Sequence, residues 1–201
     1  PFIKFFLLTF LFFFLLPPKS YTQDQNNRIQ ILFESDPKEL SDSSLLKLFE
    51  LATEKWRVTV RSKVDSSLIY ARKALESSQY LENDSLEFQS YRRVVSSYIQ
   101  LGNYQKARSE AKLMYNILDT TDHYAAYRYY STIGQIDYYE GKYETALKDH
   151  FNSLRHAKAG ELLENIPAAL GEIARVFDDT GQPLKALEYS KQDVEFTMKH
   201  G

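Results

Sequence analysis

From about residue 42 to the end of the chain, apolar residues recur at three- and four-residue spacing, with no sustained alternation of apolar and polar positions. That spacing predicts helix throughout. Ser41 or Asp42 can cap a first helix carrying Leu45, Leu48, Leu51 and Val58, and Asp65 can cap a second with Leu68, Ala71 and Leu75 on one stripe, so that the two form a hairpin. Asn83 and Asp84 mark a turn before a helix over 85–101 that bears Phe88, Tyr91, Val95 and Tyr98. Turns are then expected at LGNYQKA (101–107), EGKYETA (140–146) and TGQPLKA (180–186). In each, glycine permits the positive φ of a helix C-terminus, a freedom that Asn103 shares in the first. Tyr104 starts the descending helix there, Thr120, Thr121 and Asp122 close it and cap the next, and Pro183 suits the first turn of the last helix. Residues 158–160 read as a helix end, and Pro167 falls in the first turn of the following helix or at a kink within it.

The turns fall on a ruler. Gly102, Gly141 and Gly181 are 39 and 40 residues apart, and each is followed five residues later by an alanine: Ala107, Ala146 and Ala186. A period of this size is the signature of a helical hairpin copied along the chain, each copy burying its apolar face on the next. Aligned on the glycines, Val95, Gly134 and Ala174 form a column of small or modest residues where two helices must approach closely. Tyr115, Leu154 and Val194 form a second column, expected as an apolar lock. Extended backward by one period, the ruler puts Ser67 in the alanine column and Ser62 where glycine would stand, so the first unit reads as a degenerate terminal copy.

These columns resemble the tetratricopeptide repeat family, whose hairpins carry a small residue in the first helix, a Gly-x-Tyr turn, and alanine three residues beyond the tyrosine. The matches are Gly134, then Gly102 with Tyr104 and Ala107, then Gly141 with Tyr143 and Ala146; the last unit has Pro183 where tyrosine is usual. The resemblance covers about residues 42–200 and implies an all-α, right-handed superhelical solenoid of about four repeats, in the longer form common in bacterial regulators. It further implies that the first helices of successive hairpins line a concave groove for a protein or peptide partner. On this register the groove-facing residues are Gln89, Arg92, Ser96 and Gln100, then Arg128, Ser131, Gln135, Tyr138 and Tyr139, then Arg175 and Asp178. Arginine, glutamine and tyrosine suit a polar recognition surface. Arg92 and Arg128 lie in adjacent repeats and fit an acidic or carboxylate-bearing partner. The family's clamp for chaperone tails needs an asparagine where Ser96 stands, so that activity is not carried over.

Composition narrows the context. With 25 basic and 27 acidic residues the net charge is −2, leaving no basic field for nucleic acid. The start of the chain reads as an export signal over 1–22: Lys4, an apolar run over 5–16 broken only by Thr9, then Pro17 and Pro18. Twelve helical residues span about 18 Å, short of a bilayer core of roughly 30 Å. Ser20 and Thr22 have the spacing of a cleavage site, with a polar lead-in over 23–41 before the repeats. There is no cysteine, hence no disulfide and no lipoprotein anchor, and a periplasmic location is expected. Membrane association is expected only through the leader or a further downstream span.

Chemistry is sparse. His150 and His156 are six residues apart, unlike the i, i+4 pair of a helical metal site, and Asp122 beside His123 reads as a cap. Glu161, Glu164 and Glu172 make no paired-carboxylate constellation. No catalytic residue, metal or cofactor is expected. The tyrosines at 124, 127, 129 and 130 are expected to pack between helices with hydroxyls at the rim, and Trp56 to pack on the N-terminal segment rather than on an inner face. The final helix carries Leu184, Leu187, Val194 and Met198 on one stripe and looks uncapped, which reads as the front part of a longer protein. A leader followed by long repeats is similar to the periplasmic sensing region of membrane-bound regulators with a histidine kinase or helix-turn-helix output; a free scaffold in envelope assembly is the alternative.

Overall fold

The computed structural model describes the backbone of residues 19–200 and the side chains of residues 27–200. The expected leader over 1–22 falls, apart from its last four residues, outside the described residues. Those last four belong to α1 (Lys19–Glu34), a helix that runs through most of the expected lead-in. A 3₁₀ turn, Pro37–Glu39, is capped by Asp36, whose carboxylate accepts from the Lys38 amide at 3.0 Å. Four hairpins follow: α2 (Asp42–Thr59) with α3 (Val64–Tyr80), α4 (Asp84–Gln100) with α5 (Tyr104–Asn116), α6 (His123–Tyr139) with α7 (Tyr143–Ala159), and α8 (Ile166–Asp179) with α9 (Pro183–His200). Each helix packs on the next in sequence, and α4 also meets α6. The chain is an all-α helical repeat solenoid.

Local chemistry accounts for the boundaries. Asn83, Asn103 and Asp122 occupy N-cap positions, and each side chain accepts a hydrogen bond from an amide of the first helical turn. Asn103 therefore serves as a cap at φ −93° rather than in the left-handed region. Asp65 lies inside the first turn of α3, and Lys63 takes the cap position without a side-chain bond. Gly102, Gly141 and Gly181 all have positive φ, between 69° and 75°. In each case the following amide reaches back to a carbonyl in the last turn, as Asn103 N does to Tyr98 O at 2.9 Å. Between hairpins the same reversal is made by Glu82 and Glu161, at φ 48° and 51°. The Ser62 turn closes on Thr59 without a left-handed residue.

The core follows the columns unevenly. Ala107, Ala146 and Ala186 are buried, as is Ser67, whose hydroxyl donates to Val64 O at 2.7 Å. Leu154 is buried, but Tyr115 and Val194 are more than half exposed, so the expected apolar lock exists in the third unit alone; Val58 is likewise exposed. The largest apolar cluster gathers Ala71 and Leu75 from α3, six residues of α4, Ala107, Ala111 and Met114 of α5, and Ile136 from α6. A second joins Tyr127, Leu154 and the buried face of α8. Trp56 packs on the first cluster, and its indole N–H donates to Ser97 on α4 at 3.0 Å, so its partner is the next repeat and not the N-terminal segment.

Gly134 sits at a tight helix crossing. A Cβ there would lie 2.7 Å from the ring of His150 on α7, which is fully buried, whereas a Cβ at Gly171 in α8 would meet nothing within 4 Å. The two mid-helix glycines thus have opposite reasons to change. Gly134→Ala is expected to lower the unfolding free energy by about 1–3 kcal/mol through overpacking. Gly171→Ala is expected to raise it by up to about 1 kcal/mol through helix propensity. Urea midpoints followed by circular dichroism check both, and shifts of the same sign would contradict the packing account.

Candidate functional site

The eleven expected groove residues lie on three first helices: Gln89, Arg92, Ser96 and Gln100 on α4, Arg128, Ser131, Gln135, Tyr138 and Tyr139 on α6, and Arg175 and Asp178 on α8. Gln100, Tyr139 and Asp178 are exposed and the other eight half-buried. The set divides into two parts with different electrostatics.

Between α6 and α8 the polar groups are partnered except for the Arg175 Nε, which is buried without a hydrogen bond. The Tyr138 hydroxyl donates to Asp179, Gln135 donates to Glu172 at 3.4 Å, and Arg175 pairs with Glu172 while its guanidinium lies 4.1 Å from the Tyr138 ring centroid. The bond to Asp179 and burial together push the Tyr138 phenol up to about 12. These residues tie one repeat to the next. Arg175, with Asp178, also helps to line an open cleft with Gly171 and Leu187.

Between α4 and α6 the arginines have no carboxylate. Among the described residues, Arg92, Arg93 and Arg128 form no ion pair, while Arg72, Arg108 and Arg175 each do. Arg128 lies 5.0 and 5.4 Å from the ring centroids of Tyr124 and Tyr127, and its Nε donates to the Tyr124 hydroxyl at 3.1 Å. Burial, and then the positive charge of Arg128, hold the Arg92 guanidinium below the ordinary arginine range. Arg92 keeps some solvent contact, but protein crowds its charged end.

Arg93 was not among the residues expected at the groove. It is 7% exposed, and its guanidinium lies 5.5 and 5.9 Å from the ring centroids of Phe49 and Trp56 on α2. Its Nε and Nη1 have no hydrogen-bond partner, and burial followed by the charge of Arg92 lowers it to about 10. Its position one residue beyond Arg92 turns it toward the preceding repeat, where Trp56 was the available signal. One helical turn before Arg92, Gln89 lines a cleft of ≈ 320 Å³ with Phe88, Ile117 and Tyr124, rimmed by Asp84, Asp119 and Asp122. Recognition of an anion by desolvated, unpaired guanidinium groups is what this arrangement can do chemically.

Other polar clusters have structural partners. Arg108 on α5 joins Asp137 and Glu140 at the end of α6, and Arg72 on α3 joins Glu110 on α5. Tyr127 and Tyr129 are held above the ordinary phenol range by burial, and Tyr124 is exposed, so the tyrosine run packs between helices as expected except at its first member. His123 and His156 meet across the α6/α7 hairpin, a contact that spacing within one helix could not reveal. Burial, with smaller contributions from Arg155 and His123, lowers the His156 imidazole. Among the described residues no group of three or more histidine, cysteine or acidic side chains is arranged to hold a metal ion, and no helix is long and apolar enough to cross a membrane. No protein-family model and no curated protein matches the sequence.

His150 generates a pH dependence. Burial, and then the charge of Arg175, lower its imidazole to about 4 from 6.5, and neither ring nitrogen has a hydrogen-bond partner. Between those values the unfolded chain binds the proton and the folded chain does not, so stability is complete above pH 6.5 and falls as the pH drops toward 4. The loss is on the order of 3 kcal/mol. Asp149, pushed up to about 6 by burial and then by Asp137, acts in the opposite sense, its contribution present in acid and lost as pH rises through 6. Comparison with His150→Gln separates the two. Wild type is expected to lose more stability than the variant from pH 7 to pH 4.5 in urea titrations, and parallel profiles would exclude His150 as the responsible group.

Proposed function

We propose that the chain is a non-catalytic protein-interaction scaffold of the tetratricopeptide repeat type, whose first-helix face takes an acidic segment of a partner protein. The observation that carries this reading is Arg92 and Arg128, held on adjacent repeats without a carboxylate and with the buried, likewise unpaired Arg93 beside Arg92, while Arg72, Arg108 and Arg175 are each paired. A negatively charged segment laid across α4 and α6 would supply the missing counter-charge, and Tyr124, Gln89 and Ser96 offer polar contacts beside it. The net charge of −2 favours such a protein partner over nucleic acid. The apolar leader supports export to the periplasm, and its combination with long repeats supports the sensory part of a larger signalling protein. A hydrophobic span of about 20 residues encoded downstream would favour that context. Its absence from the gene would favour a free periplasmic scaffold.

Trp56 is the single tryptophan and lies against Arg93, so its emission reports on this face. Acidic dodecapeptides titrated into the protein are expected to bind and to shift that emission, more weakly as salt rises, while neutral peptides of matched length do not. Arg92→Glu/Arg128→Glu is expected to weaken binding at least tenfold with the helical circular dichroism unchanged. Equal affinity in the double variant would remove this face from consideration.

A further inference from the structure

We propose that His123 and His156 are the protein half of a surface site for a divalent first-row transition metal, with zinc the ion that fits. His123 is the first residue of α6 and His156 stands in the last turn of α7, and their Nδ1 atoms are 3.3 Å apart. Two nitrogens that share one zinc at 2.0–2.1 Å in a tetrahedral shell lie roughly 3.3 Å from each other. The observed separation is therefore the edge of such a tetrahedron. The ring planes are inclined at 50°.

The fold places the pair on firm supports. Gly160 ends α7 directly against His123, and a Cβ on it would lie 2.6 Å from the His123 Cβ, so the two segments can approach this closely only with glycine there. Tyr130 stacks on the His156 ring at 5.5 Å and 14°, which restricts its rotation. Asp122 is anchored by the amides of Tyr124 and Ala125, which fixes the backbone that bears His123. Imidazole donors suit zinc, copper(II) and nickel, and a chain without cysteine has no thiolate to select softer ions. Water completes the shell of a two-histidine site, making it open and exchangeable rather than a closed structural centre. The inference is independent of the arginine face.

A hydrogen bond between the imidazoles is the competing explanation of the contact, with one Nδ1 protonated and the other bare. Calorimetric titration of the 201-residue chain with zinc chloride, and separately with copper(II) chloride, distinguishes them. One ion per chain is expected to bind, at least tenfold more weakly in His123→Ala and in His156→Gln, and unchanged in His200→Ala. His123 is exposed, so its replacement leaves the core untouched, and circular dichroism verifies the fold of each variant. Gly160→Ala, which pushes the two segments apart, is expected to weaken binding as well. Absence of binding to wild type, or binding that survives both histidine substitutions, would overturn the site and leave the hydrogen bond as the sole content of the contact.

Discussion

The hairpins of this chain share their main apolar cores with their neighbours, and much of the structure follows from that constraint. The largest cluster draws on four helices from three successive hairpins, so α4 has no core until α3, α5 and α6 are in place. Close approach within each hairpin is what brings the next one into reach. That approach is made by the buried small residues Ser67, Ala107, Ala146 and Ala186 on the second helices, and by Gly134 facing the His150 ring. A methyl group added at such a crossing acts on the neighbouring interface as well as its own, because stability in a solenoid is a sum over adjacent units.

Apolar packing sets distance but says little about register, and the polar ties supply direction. Arg72 reaches from α3 to Glu110 on α5, Arg108 from α5 to the end of α6, and Tyr138 from α6 to Asp179 on α8. Exposed ion pairs contribute little to stability. The Arg108 tie is different in kind: Asp137 is buried, and removal of Arg108 would strand its carboxylate. The ties run along the array, one repeat to the next, and between α6 and α8 they join Gln135 to Glu172 and Tyr138 to Asp179. Of the groove residues expected there, Gln135 and Tyr138 are thereby committed to holding the repeats together, while Tyr139 and Asp178 stay exposed.

The turns were legible in the sequence because their chemistry is local. A glycine at positive φ, an asparagine or aspartate cap and a proline in a first turn each depend on a few neighbouring residues, and Gly102, Asn83, Asp122 and Pro183 stand where those rules place them. Features that depend on which element arrives opposite were not legible. Tyr115 and Val194 share a column with Leu154, yet only Leu154 is buried. Trp56 found Ser97 and Arg93, 41 and 37 residues away, and no periodicity announces such a pair. Helix α1 was missed because its polar composition gives no apolar stripe to read; Phe33 near its end reaches Tyr70 edge-on at 5.7 Å. The arginines themselves were visible, but their lack of partners was not, since pairing is settled by helices a repeat apart.

That lack of partners separates Arg92, Arg93 and Arg128 from the rest of the face. Arginine does not escape an unfavourable site by losing its proton, as a buried lysine or histidine can, because even the lowered value for Arg93 of about 10 leaves it charged at neutral pH. The repulsion between Arg92 and its neighbours on either side is thus a standing cost of the free protein. The rings of Phe49, Trp56, Tyr124 and Tyr127 offset part of it through their faces, but a ring carries no net charge. A ligand that brings negative charge between α4 and α6 would gain twice, from its own contacts and from relief of that repulsion, and an uncharged ligand of the same shape would gain only the first. Selectivity for acidic partners would then come from what the free protein lacks rather than from any single contact it makes.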